Sequence, residues 1–404
     1  MQTGTNKAAD KTFAEFFAGI GLMRLGLERG GWRIAFANDI DPQKEEMYRA
    51  NFSDADQHFL LGDIHQIPSG EIPSVALATA SFPCNDLSLA GARGGLQGEN
   101  SSAFWGFTKI LQGMKQRRPP LVLVENVPGF LTSNGGRDFE DAMLALNDLG
   151  YAVDPFMLDA AWFVPQSRQR LFIVGVKIKS TECEAINESF FQSRVRPAAL
   201  SDFVFCHPDI NWLVRKLPEP PTGGWVLDDV LEDLPSDSPD WWSEERGTYL
   251  LNQMSQRHRA TAEKMMAGRS WSYGTVFRRI RNGKSMAELR TDGLAGCLRT
   301  PRGGSGRQIL FKAGRGEYHV RLVSPRECAR LMGANDFKID VPLNQALFGF
   351  GDAVCVPAIE WIARNYLNQI WAERFEPAPP PKPESRSVGY TPQSRAKRDQ
   401  LANR

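Results

Sequence analysis

Phe17-Ala18-Gly19-Ile20-Gly21 is the stretch on which the fold of this chain turns. Residues 11–17 before it read as a strand. Residues 22–29 after it read as a helix, apolar or small at Leu22, Leu25 and Gly26 and stopped by Gly30-Gly31. Strand, glycine turn and helix in that order open an α/β sheet that holds a nucleotide, because glycines let backbone N–H groups approach a ligand at a helix N-terminus. Tight packing of a helix on a strand accounts for the same glycines, so the motif gains weight only from its neighbours.

Those neighbours repeat the pattern. A second strand, residues 32–37, ends in Asn38-Asp39-Ile40-Asp41, about 20 residues past the glycines. An acid there accepts a ribose hydroxyl pair, and either aspartate equally caps the helix read at 42–51. A third unit ends in Leu61-Gly62-Asp63-Ile64, where a carboxylate accepts an adenine amino group or simply closes a turn. Three such sites at successive strand ends point to a nucleoside-bearing cofactor.

The apolar run 75–80 reads as a buried strand and leads into Ser81-Phe82-Pro83-Cys84-Asn85-Asp86-Leu87-Ser88. Pro83 fixes φ, so Cys84 sits on a stiff turn just past a strand end. It reads either as a nucleophilic thiolate or as a small buried hydrophobe. Gly91, Gly94, Gly95 and Gly98 follow in a polar stretch suited to a mobile loop. After a helix at 102–114, the strand 121–124 ends in Glu125-Asn126-Val127-Pro128. Glu125 pairs with Cys84 in one crevice or merely braces the next turn. A helix at 138–149 and strands at 151–158 and 171–177 complete the alternation. Between those two strands lie Arg168 and Arg170, which at i, i+2 in extended chain point the same way. They form a clamp for a phosphate or a base edge, or a solvated pair.

The rest of the chain differs. From 218 to 245 there are nine acidic residues and no basic ones, whereas 269–315 holds eleven basic and two acidic, a net +9. Such a block faces a polyanion, although the whole chain carries only +1. Residues 179–323 therefore read as a smaller domain inserted into an α/β sheet domain formed by 1–178 and 324–375. Ser324 and Glu327 form a capping box for a helix that returns the chain to the sheet, and residues 356–370 read as a long helix packed on it. Residues 376–404, proline-rich and then basic, read as a disordered arm for weak polyanion contact. The six cysteines, Cys84, Cys183, Cys206, Cys297, Cys328 and Cys355, show no paired spacing. No disulfide framework and no metal site is expected. The polar N-terminus lacks an apolar signal core and no membrane span is expected, which suits a reducing cytoplasm, at the nucleoid.

An adenosine-bearing cofactor, a thiol, a facing carboxylate and a basic platform together suit methyl transfer to carbon 5 of cytosine. C5 becomes nucleophilic only after a thiolate adds to C6, and an acid at N3 relieves the charge that develops. The base must leave the duplex for this. Here the chain resembles the DNA (cytosine-5) methyltransferases of restriction–modification type. The resemblance covers about 220 residues, 12–177 and 320–372. Phe17-Ala18-Gly19-Ile20-Gly21, Pro83-Cys84, Glu125-Asn126-Val127 and Gln166-x-Arg168-x-Arg170 look like four of the family's motifs. Residues 326–333 and Gly351-Asp352-Ala353-Val354 look like its late ones. Six in order are highly specific.

The resemblance implies an S-adenosyl-L-methionine-dependent, Rossmann-like sheet domain with an inserted target recognition domain acting on double-stranded DNA. It makes Cys84 the nucleophile, Glu125 the N3 partner, and Arg168 and Arg170 the holders of the flipped cytosine and a neighbouring phosphate. Phe17, Ala18, Gly19, Ile20, Gly21, Asp39, Ile40, Asp63, Ile64, Pro83, Asp352 and Ala353 would line the S-adenosyl-L-methionine site. Arg278, Arg279, Arg281, Arg299, Arg302, Gly303 and Gly304 are candidates to touch DNA. A monomer is expected, with a cognate restriction endonuclease possible in the same system. Asn85, Leu22 and Asp352 depart from the family's usual glutamine, glycine and asparagine. Two alternatives remain open, an RNA cytosine-5 methyltransferase of the same fold and a silent DNA-binding relative. An amino-methylating enzyme would need an (Asp/Asn)-Pro-Pro-aromatic motif where Phe82-Pro83-Cys84 stands.

Overall fold

A computed structural model describes residues 10–83, 102–178, 193–281, 283–300 and 306–376. In chain order the main elements are β1 (Thr12–Phe16), α1 (Leu22–Arg29), β2 (Arg33–Asp39), α2 (Pro42–Asn51), β3 (Phe59–Leu61), β4 (Leu77–Ala80), α3 (Ser102–Met114), β5 (Leu121–Asn126), α4 (Arg137–Asp148), β6 (Tyr151–Asp159) and β7 (Gln169–Lys177). They continue with α5 (Ala198–Cys206), α6 (Glu244–Asn252), α7 (Gln256–Met266), β8 (Ser272–Arg281), β9 (Lys284–Arg290), β10 (Ile309–Gly314) and β11 (Glu317–Leu322). Four helices close the described chain, α8 (Pro325–Leu331), α9 (Leu343–Asp352), α10 (Val356–Ile362) and α11 (Asn368–Arg374).

The first seven strands form one sheet in the order β3-β2-β1-β4-β5-β7-β6. β1 pairs in parallel with both β2 and β4, and β7 is antiparallel to β5 and β6. The chain runs outward from β1 to β3 and then returns to lay β4 against β1. That reversal opens a crevice at the carboxyl ends of β1 and β4. Leu121, Val122 and Leu123 of β5 are wholly buried, as befits a strand covered on both faces. Phe13 faces a core shared with α1, α2 and α8 to α11, whereas Ala14 and Phe16 face α3, α4 and α5.

α1 and α10 cross closely because Gly26 has no side chain; a Cβ there would lie 2.5 Å from the Cβ of Ile359. Ile359, Ile362 and Ile370 are fully buried, each worth about 1.5–3 kcal/mol. The stretch Leu343–Arg374 is long and apolar enough to cross a membrane, yet 61% of its most apolar window is buried inside the fold. It behaves as a core element. The expected long helix is broken by a π-helical turn at Ala363–Leu367.

β8 to β11 form a second, antiparallel sheet in the order β11-β10-β8-β9. Its core, from Leu250 to Val320, packs against α6 and α7. Of the unit expected from 179, the first described residues pack along the edge of the large sheet. Met157 N–H donates to Val195 O at 2.7 Å, and Leu213 N–H donates to Val153 O at 3.0 Å, along β6. Leu200, Val204, Ile210 and Trp212 fill the core beneath α4. The edge of β6 needs a cover, and this segment supplies it. Past Glu376, the expected tail lies outside the described residues.

Candidate active site

The glycine turn is built as its sequence suggests. Phe17, a non-glycine residue, takes φ 58°, and Gly19 and Gly21 take φ 57° and 86°. A Cβ on Gly21 would lie 2.3 Å from the Phe52 ring, so glycine is required there twice over. No side chain caps α1, which leaves its first N–H groups for a ligand or water. The side chains of Ala18 and Ile20 are buried, so that segment offers only its backbone.

Asp39 closes this turn from β2. Its carboxylate accepts from Gly19 N–H at 2.8 Å and from Asp41 N–H at 2.9 Å. Burial raises its pKa, opposed by Lys44 and by those two N–H groups. Asp41 caps α2, accepting from Gln43 N–H at 2.9 Å. Of the two acids, Asp41 is therefore the one that caps the helix, and Asp39 braces the glycine turn. Ile40, between them, is 66% exposed. Asp63 accepts from His65 N–H through Oδ1 at 2.9 Å, and its Oδ2 has no partner among the described residues. The side chain of Ile64 is turned into the core against α3, which leaves its backbone as what it can offer a ligand. Asp352 ends α9 and pairs with Lys44 at 2.7 Å, and that same ammonium also feels Asp39.

Cys84 lies outside the described residues, but the strand that leads to it does not. Phe82 is 3% exposed and packs on Phe104 and Phe130. Its carbonyl accepts from Asn126 Nδ2 at 3.2 Å, and Asn126 Oδ1 accepts from Val127 N–H at 2.8 Å. Asn126 therefore ties the end of β5 to the end of β4, a role the sequence reading did not assign it. Glu125, one residue earlier, pairs with Arg170 Nε at 3.0 Å and is almost wholly buried. Its Oε2 has no partner among the described residues.

Arg168 is placed otherwise than expected. It is 3% exposed and reaches four acceptors. Nη1 donates to Leu298 O at 2.7 Å and meets Cys297 Sγ at 3.3 Å, while Nη2 donates to Gly351 O at 3.1 Å and Ala353 O at 2.6 Å. This guanidinium ties together two loops instead of facing the crevice. Gln166 assists it, donating to Leu331 O at 2.7 Å and accepting from Leu298 N–H at 3.1 Å. Gly351 packs so closely on Arg299-Thr300 that a Cβ would lie 2.6 Å from their backbone. Cys297 sits beside both arginines. Burial alone would raise its pKa, but Arg168, Arg170 and Arg299 bring it down to about 7.

Arg279 and Arg281 both reach Glu288, at 3.7 and 2.7 Å. Arg302, Gly303 and Gly304 lie outside the described residues. Among the described residues no cluster of metal-binding side chains occurs.

Residues 11–368 match the family described as C-5 cytosine-specific DNA methylase. Type II methyltransferase M.HhaI of Haemophilus parahaemolyticus is 27% identical over 360 residues, 87% of this chain and 93% of that protein. Type II methyltransferase M.BsuFI of Bacillus subtilis is 35% identical over 171 residues, 42% of this chain and 40% of that one. The crystal structure of S. pombe Dnmt2 methyltransferase matches with a TM-score of 0.57 at 19% identity, over 90% of this chain and 98% of that one. At that identity the likeness is one of fold.

Proposed function

Because the chain belongs to the C-5 cytosine-specific DNA methylase family, we propose that it moves a methyl group from S-adenosyl-L-methionine to C5 of a cytosine flipped out of duplex DNA, with Cys84 and Glu125 at the reacting ring. One observation carries the assignment of residues. Glu125, held by Arg170, sits at the end of β5, and Asn126 fastens that end to Phe82, two residues before Cys84.

The residues present fit the cofactor. The uncapped start of α1 suits its carboxylate. Exposed Ile40 suits one face of adenine, and the free oxygen of Asp63 suits the adenine amino group. The Asp39 carboxylate suits the ribose hydroxyls, and the backbone near Asp352, whose side chain shares Lys44 with Asp39, suits the methionine end. When bound, the cofactor supplies an electrophilic methyl on a sulfonium. The chain's own residues do the rest. The Cys84 thiolate adds to C6 and gives C5 carbanion character. Glu125 Oε2 shares a proton with N3, while Arg170 keeps Oε1 occupied and the carboxyl in place. Once C5 carries the methyl, water takes the C5 proton, the freed electron pair re-forms the C5–C6 double bond and expels the Cys84 thiolate, and N3 returns its proton to Glu125. Arg170 borders the ring, and Arg168 supports it from behind.

The protein works as a monomer in the cytoplasm and guards its site against a cognate restriction endonuclease. Incubation of a mixed-sequence plasmid with labelled S-adenosyl-L-methionine, followed by base mapping, tests this reading. Label as 5-methylcytosine at one short motif supports it; label confined to RNA, or absent, sinks it.

A further inference from the structure

We propose that Trp242, Arg246, Arg278 and Arg307 form a second phosphodiester-binding site, which grips the DNA backbone away from the target base. The proposal rests on the reading above that the substrate is duplex DNA. The three arginines come from separate elements, α6, β8 and the segment before β10, and meet only through the fold. The Arg246 guanidinium lies 3.7 Å from the centre of the Trp242 ring and that of Arg278 lies 5.8 Å from it. Arg307 is held from α9, donating through Nη2 to Asn344 Oδ1 at 2.5 Å.

Their charges are not balanced from within. Among the described residues no carboxylate forms an ion pair with any of the three, while the adjoining Arg279 and Arg281 share Glu288. The Nε atoms of Arg278 and Arg307 are buried without a hydrogen-bond partner. The pKa of Arg246 is lowered by burial and then by Arg278 and Arg307, a sign of like charges pressed together. Two guanidiniums at one indole ring, with Arg307 near enough for Arg246 to feel its charge and with donors unspent, suit a planar-forked grip on an anion's oxygens. The anion this surface would meet is a phosphodiester, since residues 269–315 around it carry a net +9. Arg246 lies beyond that block, directly after an acidic run, so the sequence alone sets it apart from the other two.

Fluorescence anisotropy of a labelled duplex, at several salt concentrations, tests the site in the full chain. Arg246→Gln and, independently, Arg278→Gln should each weaken binding about three- to tenfold near 0.1 M salt. Each should also lessen the slope of log K against log salt by about 0.9, the loss of one phosphate contact. Arg246→Lys should keep the slope, because it keeps the charge. Should either glutamine variant, folded as judged by its melting curve, keep the wild-type affinity and slope, the site is refuted. A wild-type protein that binds and methylates no duplex overturns the proposed function, and this site with it.

Discussion

Glu15 is a buried carboxyl on β1, and among the described residues no side chain hydrogen-bonds its oxygens; the Arg24 backbone N–H is the nearest donor. Burial, against the pull of Arg24, raises its pKa from 4.5 to about 8. Between those values the folded chain keeps a proton that the unfolded chain has released. The stability this provides is complete below the unfolded value and is lost as pH rises through the folded one, by at most about 1.4 kcal/mol per unit. Glu15→Gln should flatten that fall; urea midpoints at about pH 5 and pH 8 check it, and a variant as pH-sensitive as the wild type would refute the account. Cys84→Ser should abolish methyl transfer and leave cofactor affinity unchanged, as read by turnover and by calorimetric titration. Substantial residual turnover would exclude a covalent route. The positions of Glu125, Asp39 and Asp63 at or just past strand ends were legible, because each acid follows an apolar strand run. The burial of Arg168 was not, because its acceptors Leu298, Gly351 and Ala353 stand 130, 183 and 185 residues away in the chain.

At the scale of elements, the caps and strand ends were the legible parts. The capping box on α8 forms as its spacing indicates, with Ser324 Oγ accepting from Glu327 N–H at 3.2 Å and Glu327 returning to Ser324 N–H at 2.8 Å. The sequence did not indicate that Glu327 also pairs, wholly buried, with Arg321 of β11. Ser324→Ala should cost about 1 kcal/mol, measured as a shift in the urea midpoint. Asn126→Ala should act on the crevice instead. It frees the end of β4 from β5, so turnover should fall at least about tenfold while cofactor affinity changes little, and equal losses in both would contradict that role. The segment from 193 to 217 shows the limit of pattern reading. It carries few strand signals of its own, and joins the large sheet only because the edge of β6 has unpaired backbone groups.

For the whole molecule, buried polar ties join segments far apart in the chain, beside an apolar cluster that includes Leu310 of β10 and Leu121 of β5. Arg168, just before β7, binds Leu298, Gly351 and Ala353, Gln166 links Leu298 to Leu331, and Arg321 links β11 to α8. Removing one partner of such a tie strands several buried carbonyls at about 1–3 kcal/mol each. The wild type should therefore melt in a single calorimetric transition, and Arg168→Ala should lower its midpoint and divide the transition in two. One unchanged endotherm in that variant would show that the ties are not what couples the sheets.

Only β7 among the first seven strands runs against the rest. In a sheet of uniform direction, the functional rim receives nothing but strand exits, each followed by a loop free to wander. Reversal turns one of these positions into an entrance, so Arg170 arrives at the rim at the head of a strand whose register with β5 is already set by Glu125 opposite Phe172. The partner of Glu125 is thus aligned by backbone pairing and not by loop conformation. Loops elsewhere on the rim can lengthen, shorten or exchange their recognition segments without disturbing that pair. A scaffold wired this way lets target specificity diversify while the reaction stays the same.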